Sequence, residues 1–320
     1  MATGAPATVV SGVGAACVVL RDLHKKDYDR RRFPKQYVHF VELPYRRPAF
    51  GGTEAISGEN AHLAAAQCQG CEHPACVADC PAGVDVPGFL RRMEAQNYAG
   101  AARLLRQRNP FSEVCGYACP VDELCQRRCH RRTYAGDAVR IAELERWACE
   151  AAGPEGWLPR AGTRRDRKVA VVGAGVAGLS CAYYLALAGC AVELYDDHAL
   201  PGDRLARWLP EGVPPAAFGR DVEGILQAGI VFLGGRKLEQ GFVDNVRVSH
   251  EALVLYAGPS GLAEADGTGL QPADLRQAWT ASPGTFVCGR PEDEGTVAEA
   301  AAAGRRTAVD VVQYLEALGK

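Results

Sequence analysis

The chain has 320 residues, 48% of them hydrophobic, and a formal net charge of −2. This length allows about two domains with substantial cores, and the composition is typical of a soluble globular protein. The near-neutral charge provides no general attraction to nucleic acid or to an acidic membrane surface. The apolar run at residues 9–20 is too short to cross a bilayer and follows no basic residue, so we expect no membrane span, no signal peptide and a cytoplasmic location.

Residues 1–60 show no clear periodicity and are predicted to form an amino-terminal extension. They contain a basic stretch with interspersed aromatic residues at 21–48. We interpret this stretch as a solvated extension that lies along its own protein or along a partner. The alternative is a dedicated recognition element that binds nucleic acid beside zinc sites, which would require zinc and no iron in the protein.

Thirteen cysteines are present, and eight of them fall between Cys68 and Cys129. Isolated buried cysteines behave as small hydrophobic residues, which accounts for the scattered ones. A dense group in a reducing compartment indicates metal or redox chemistry rather than disulfides. The sequence therefore predicts a metal- or cluster-binding region after residue 60.

The cysteines follow the pattern C-x2-C-x4-C-x3-C-P from Cys68 and the pattern C-x3-C-x5-C-x3-C from Cys115. Closely spaced thiolates with a last cysteine before proline resemble the ferredoxin arrangement, although the middle spacing differs. Structural zinc sites generally use paired C-x2-C units, and only one such unit occurs here. Eight cysteines are enough ligands for two [4Fe–4S] clusters. Helical patterns at 87–96, 98–109 and 137–153 accompany them, the last with Asp137 as predicted N-cap.

A glycine-rich turn opens the second half of the chain, after a linker at 154–167. Gly173, Gly175 and Gly178 form G-x-G-x-x-G between a predicted strand and a predicted helix. Such glycines permit a tight turn and let a pyrophosphate approach the N–H groups at the helix start. The next strand ends at Asp196, which is placed to bind ribose hydroxyls. The pattern predicts a dinucleotide site.

From about residue 60 to residue 320 the sequence resembles the small subunit of glutamate synthase and the amino-terminal part of dihydropyrimidine dehydrogenase. The resemblance implies a helical bis-[4Fe–4S] domain at 61–153, followed by an α/β Rossmann-like FAD-binding domain at 168–320. It also implies two ligand sets, with Cys115 as a spare. Site I would comprise Cys68, Cys71, Cys76 and Cys129, and site II would comprise Cys80, Cys119, Cys125 and Glu145.

Glu145 also stands out without the resemblance. On a helix, its neighbours three and four residues away are Ile141, Ala142, Ala148 and Cys149, which form an apolar face. A glutamate on a buried face is costly unless it binds a positive group. Two interpretations stay open, a cluster ligand and a side chain that reaches solvent.

The resemblance further implies FAD at the glycine turn, with contacts from Gly202, Gly289 and the final helix. This chain has Gly202-Asp203 and Gly289-Arg290 where relatives have Gly-Gly and Gly-Asp. Arg290 either pairs with a phosphate or marks a degraded site. The final helix begins near Thr296 and Val297, and either directs its positive end at the flavin or is a plain alanine-rich core helix.

Relatives also carry a separate NADPH-binding domain inserted after a strand like residues 251–260. Here only about 25 residues separate Gly258 from Thr285, and one βαβ unit takes about 30. No second G-x-G-x-x-G occurs. The sequence therefore predicts that the NAD(P)H domain is deleted, with a short junction at about 259–284.

These observations predict an oxidoreductase component that is inactive with NAD(P)H alone. It would pass electrons between FAD, two [4Fe–4S] clusters and a partner protein. The partner would be ferredoxin or a redox subunit such as a dehydrogenase, a hydrogenase or a 2-oxoacid oxidoreductase. No catalytic acid–base pair or nucleophile stands out. The alternative is a structural adaptor whose clusters hold the fold and whose flavin site is degraded.

Overall fold

The computed structural model describes residues 8–10, 17–19, 55–158, 167–203, 209, 212–236, 240–256, 282–289 and 295–318. Within the predicted extension, strands β1 (Thr8–Val10) and β2 (Cys17–Val19) pair in antiparallel orientation. The predicted linker beyond residue 158 and most of the predicted junction at 259–284 lie outside these residues.

The region from residue 61 to 156 is helical. Its helices are α1 (Ala61–Ala65), α2 (Ala75–Ala78), α3 (Val86–Glu94), α4 (Tyr98–Arg106), α5 (Ser112–Ala118), α6 (Arg132–Ala135) and α7 (Ile141–Ala152), followed by a 3₁₀ turn (Gly153–Gly156). Two starts are capped by side chains: Asp85 accepts from the N–H of Gly88 at 2.9 Å, and Asn97 accepts from that of Gly100 at 2.9 Å. These caps satisfy N–H groups that the helix itself leaves unpaired.

Helix α7 begins three residues later than the N-cap assignment of Asp137 requires. The helix starts at Ile141 with Arg140 at the N-cap position. Asp137 instead forms an ion pair with Arg131. The prediction of Asp137 as N-cap was wrong, because a side chain from the preceding turn binds its carboxylate.

The second half of the described chain is a parallel α/β unit. Its elements are β3 (Lys168–Val172), α8 (Val176–Leu187), β4 (Ala191–Tyr195), α9 (Pro215–Leu226), β5 (Val231–Leu233), α10 (Gln240–Ser249), β6 (Ala252–Tyr256), β7 (Thr285–Cys288) and α11 (Val297–Leu318). All strand pairs in the five-stranded sheet are parallel, in the order β5-β4-β3-β6-β7. The strand, glycine turn, helix and strand predicted from Lys168 onward are all present.

The strand order reverses between β3 and β6, and the glycine turn follows β3 at this point. Ligands of open α/β sheets bind in the crevice at such a switch point, beyond the carboxyl ends of the strands. The register pairs Val172 with Leu255, so Gly173 and Tyr256 are the next residues on the two neighbouring strands. The fold therefore places Tyr256 beside the turn that the sequence assigns to a dinucleotide.

The helical region and the sheet share one hydrophobic core, which includes Phe89 and Leu144 together with Val171 and Leu179. The opposite face of the sheet packs against α10 through Val243 and Val246. No helix within the described ranges has the length and apolar character needed to cross a membrane.

Helices α11 and α8 approach closely at Gly304. A Cβ at Gly304 would lie 2.2 Å from the carbonyl oxygen of Ala177 and 2.7 Å from the Cβ of Ser180. Only glycine allows this approach, because real Cβ atoms essentially never come within 3.0 Å of such atoms. The position of α11, and hence of its amino-terminal end, is fixed by this contact.

Candidate metal centres and dinucleotide site

The four residues of site I line one cavity of about 510 Å³. Cys76 lies in α2, whereas Cys68, Cys71 and Cys129 lie on connecting segments. Gly70, with φ +61°, permits the reversal that brings Cys68 and Cys71 to the same cavity. The resemblance implied this set of four ligands, and in the fold all four residues line the same cavity.

The electrostatics of Cys76 reflect this grouping. Burial is the largest cause that raises the pKa of Cys76 to about 12, and Cys68, Cys129 and Cys71 contribute to this rise in that order. Four mutually repelling thiolates are stable only if a cation neutralises them, and metal binding displaces the thiol protons. The cavity has the donor set and the room for a polynuclear cluster.

An ion pair links two segments that carry the predicted ligands of both sites. Arg128 Nε donates to Asp79 Oδ2 at 2.8 Å, and Nη2 donates to the other carboxylate oxygen. These hydrogen bonds lower the pKa of Asp79. The pair ties the segment before Cys80 to the segment that carries Cys125 and Cys129, so the ligands of both sites are held in register.

The four residues of site II also lie near one another. Burial raises the pKa of Cys125, and Glu145 and then Cys80 and Cys119 raise it further. Burial likewise raises the pKa of Glu145 well above its ordinary value, and Cys119 adds to this rise. Four donors from separate segments therefore lie close enough to affect one another's charge, and a cation among them would remove the cost of their ionisation.

Glu145 lies in α7 on the face that the sequence indicated. Ile141, Ala148 and Cys149 on this face are buried, and Glu143 instead pairs with Arg140 and Arg146. The Glu145 carboxylate lies near the Cys119 thiol.

The sequence analysis treated Cys115 as a spare, yet the structure places it against site II. Its thiol donates a hydrogen bond to the Cys119 sulfur, which lowers the pKa of Cys119. Asn109 Nδ2 in turn donates to the Cys115 sulfur at 3.1 Å. The spacing of four residues on one helix puts Cys115 and Cys119 on the same face, and this signal could have indicated the contact.

The start of helix α11 also reaches site II. Thr296 and Glu299 form a capping box: the Glu299 N–H donates to Thr296 Oγ1 at 3.2 Å, and the Thr296 N–H donates to Glu299 Oε2 at 2.7 Å. Between them, the Ala298 N–H donates to the Cys119 sulfur. The positive end of this helix, predicted at Thr296 and Val297 to face a flavin, thus contacts a predicted cluster ligand.

The glycine turn has the backbone of a dinucleotide-binding turn. Gly173 has φ +105°, a conformation that favours glycine, and its N–H donates to the Tyr195 carbonyl at 2.7 Å. Gly175 is the N-cap of α8 and no side chain caps this start. Gly178 packs on the carbonyl of Gly173, where a Cβ would lie 2.0 Å from the oxygen.

Two side chains occupy this turn. Asp196 Oδ2 accepts a hydrogen bond from the Ala174 N–H at 2.6 Å, and Oδ1 accepts from the His198 N–H at 2.9 Å. The Tyr256 ring lies against the turn, because a Cβ at Gly175 would be 2.6 Å from its Cζ and 2.8 Å from its Oη. Asp196 therefore lies beside the turn, and its carboxylate accepts a hydrogen bond from the backbone of the turn.

Two family models match the chain. Residues 51–157 match the model described as dihydropyrimidine dehydrogenase domain II, 4Fe-4S cluster. Residues 171–216 match the model described as NAD(P)-binding Rossmann-like domain. An iron–sulfur domain is therefore followed by a Rossmann-like domain with a parallel sheet.

Curated relatives also match the chain. The putative oxidoreductase AegA of Escherichia coli K12 is 36% identical over 155 residues, 48% of this chain and 23% of AegA. The glutamate synthase [NADPH] small chain of the same strain is 32% identical over 191 residues, 59% of this chain and 38% of the relative. The resemblance to the glutamate synthase small chain is confirmed.

A further relative is the NAD-dependent dihydropyrimidine dehydrogenase subunit PreT of E. coli K12. It is 36% identical over 172 residues, 52% of this chain and 38% of PreT. The chain thus spans less than two fifths of the length of AegA, of the glutamate synthase small chain and of PreT.

The structure describes some of the remaining residues predicted to bind FAD. Gly202 has φ +77° and packs against Phe218, and Gly289 has φ +89° directly after β7. Arg290 lies outside the described residues. Both glycines occupy backbone conformations that side chains rarely adopt, which accounts for the residue type at each position.

Proposed function

We propose that this chain is the electron-transfer subunit of a larger oxidoreductase and holds two [4Fe–4S] clusters at sites I and II. The observation that carries the proposal is the single cavity that the four thiols of site I line, and the donors of site II lie near one another as well. Clusters of this type exchange single electrons with neighbouring redox groups. The names of the relatives, which include a small chain and a subunit, support a role within a complex.

The spacing of the sulfurs supports iron–sulfur clusters over zinc. A tetrahedral zinc ion holds its sulfurs about 3.8 Å apart, since each Zn–S bond is about 2.3 Å long. Among the described cysteines, no three sulfurs lie within 4.8 Å of one another. Thiols spread around a cavity of about 510 Å³ suit a polynuclear cluster better than a single ion.

The protein's own residues would hold and tune the two clusters. The Arg128–Asp79 pair keeps the ligand-bearing segments together. Hydrogen bonds from Cys115 and Ala298 stabilise negative charge on the Cys119 sulfur. Glu145 supplies a hard oxygen donor, which favours ferric iron. Site II would therefore differ in reduction potential from site I, with its four sulfur donors.

We further propose FAD at the glycine turn, because the backbone of Gly173 and Gly175 and the uncapped start of α8 fit a pyrophosphate. FAD can accept two electrons together and then pass them on one at a time. Gly178 would allow the close helix contact, Asp196 would face the ribose, and Gly202, Gly289, Arg290, Thr296 and Val297 would lie along the flavin. Hydride from NAD(P)H would not enter on this chain, because residues 259–284 leave no space for a second domain.

The second candidate function is a structural adaptor with clusters and no flavin. The observations in its favour are the Tyr256 ring on Gly175 and the hydrogen bond between Asp196 and the turn. The partner in either case would be a redox protein, either ferredoxin or a dehydrogenase, hydrogenase or 2-oxoacid oxidoreductase subunit. The cytoplasm stays our predicted location.

The test is anaerobic purification of the full chain, followed by analysis of iron, sulfide and flavin and by identification of co-purifying proteins. We expect about eight iron atoms and a broad absorbance that dithionite bleaches. Cys76→Ala should remove the cluster of site I, whereas Cys181→Ala, which changes a fully buried thiol in α8, should keep both. Zinc without iron would overturn the proposal, and clusters in a chain that binds no FAD even when FAD is added would select the adaptor.

A further inference from the structure

Tyr256 occupies the part of the fold where a dinucleotide pyrophosphate normally lies. Its strand neighbours β3, and the register places it next to Gly173 at the strand-order reversal. A Cβ at Gly173 would lie 2.6 Å from the Tyr256 Cβ. At Gly175 a Cβ would lie 2.6 Å from both Cε1 and Cζ of the ring. The phenol therefore contacts both glycines.

The second glycine of such a turn lacks a side chain so that a pyrophosphate can approach the backbone. In this chain the space above Gly175 is taken by the chain's own ring. The neighbouring N–H of Ala174 is satisfied by Asp196 Oδ2 at 2.6 Å. The Asp196 carboxylate is 7% exposed. The turn is thus closed on two sides by side chains of the protein.

From this arrangement we propose that Tyr256 determines the affinity of the turn for a dinucleotide. The ring must leave Gly175 before a pyrophosphate can contact the start of α8, so the native chain binds FAD weakly. This inference deepens the proposed function and depends on its flavin assignment, but not on the two clusters.

The test compares FAD binding by the anaerobically purified full chain and by three variants. Tyr256→Ala removes the ring, and Tyr256→Val does the same with a residue that suits a strand. Tyr256→Phe is the matched control, because it keeps the ring in place. FAD is titrated while its fluorescence is followed, and the cluster absorbance of each sample shows that the protein is folded.

We expect the alanine and valine variants to bind FAD at least tenfold more tightly than the wild type, and the phenylalanine variant to bind like the wild type. Gly175→Val added to Tyr256→Ala should abolish the gain, because a side chain again fills the space over the turn. A gain for NADPH in place of FAD would support the role of Tyr256 and overturn the flavin assignment.

Equal FAD affinity in the wild type and in either ring-free variant would overturn the inference. So would a wild-type chain that retains one tightly bound FAD through purification. Iron content is measured in the same samples, so loss of the clusters, which concerns the proposed electron-transfer function, is scored separately from FAD affinity.

Discussion

The backbone N–H of Ala298 donates a hydrogen bond to the sulfur of Cys119. The two residues are far apart in the sequence, and the contact joins the last helix of the α/β unit to site II. The positive end of a helix favours negative charge nearby, so this contact stabilises the thiolate that a cluster needs. Arg305 of the same helix donates to the Ala82 carbonyl at 3.2 Å, close to Cys80.

Removal of the Cys115 thiol should lower the reduction potential of the site II cluster. Donors to a ligand sulfur stabilise the reduced, more negative cluster. A hydrogen bond is worth about 0.5–1.5 kcal/mol, which for one electron is on the order of 20–60 mV. A redox titration followed by electron paramagnetic resonance measures the shift in Cys115→Ala. Cys115→Ser should recover part of it, and Cys149→Ala, which changes another buried thiol, should leave the potential unchanged.

Replacement of Glu145 by cysteine should raise the potential of the same cluster. A carboxylate oxygen favours ferric iron more than a thiolate does, so its removal eases reduction. The same redox titration applies, and the signal of site I serves as the internal reference. Glu143→Cys is the control on the same helix, since Glu143 pairs with arginines instead of facing the thiols. An unchanged potential in Glu145→Cys would show that Glu145 is not a ligand.

Gly304→Ala should destabilise the protein by about 1–3 kcal/mol, because the added Cβ would overlap the backbone of α8. Gly219→Ala is the matched control: this glycine also lies within a helix, and a Cβ there meets no atom within 4 Å. We expect the control to gain about 0.5–1 kcal/mol. Thermal unfolding under anaerobic conditions measures both. If Gly304→Ala is as stable as the wild type, the close packing of the two helices is wrong.

Breaking the buried pair of Arg106 and Asp221 should cost more than breaking an exposed one. The two side chains are 1% and 0% exposed, and Asp221 also accepts from the Val114 N–H at 3.0 Å. Asp221→Ala leaves a buried guanidinium that cannot lose its proton, and we expect a loss of about 3–5 kcal/mol. Glu251→Ala, which breaks a half-exposed pair with Arg167, should cost at most about 1 kcal/mol. Chemical denaturation compares them.

The reciprocal change, Arg106→Met, should show a distinctive pH dependence. The pKa of Asp221 is raised to about 7, because burial raises it more than the neighbouring Arg106 lowers it. Without the arginine, the folded state binds the carboxyl proton still more tightly than the unfolded state does, so acidification favours folding. The stability lost in Arg106→Met should therefore shrink between pH 8 and pH 6. A loss that grows on acidification would contradict this account.

The sequence predicted the features that depend on local patterns. The glycine turn after β3 and the inward face of α7 with Glu145 follow from periodicity and spacing, and the structure contains both. The sequence alone could not predict that the Tyr256 ring lies on Gly175, because that contact depends on which strands are neighbours in the sheet. The bond between Ala298 and Cys119 was missed for the same reason, since it joins residues distant in the chain. Asp137 failed as an N-cap because Arg131 competes for its carboxylate.

The packing of α11 has a consequence for biogenesis. The proposed donors of both sites are translated before the Rossmann-like sheet. Cys119 contacts the Ala298 N–H only after every strand of that sheet has been made and the last helix has packed on α8 at Gly304. The surroundings of site II are therefore completed only with the whole polypeptide, although its donors are made much earlier.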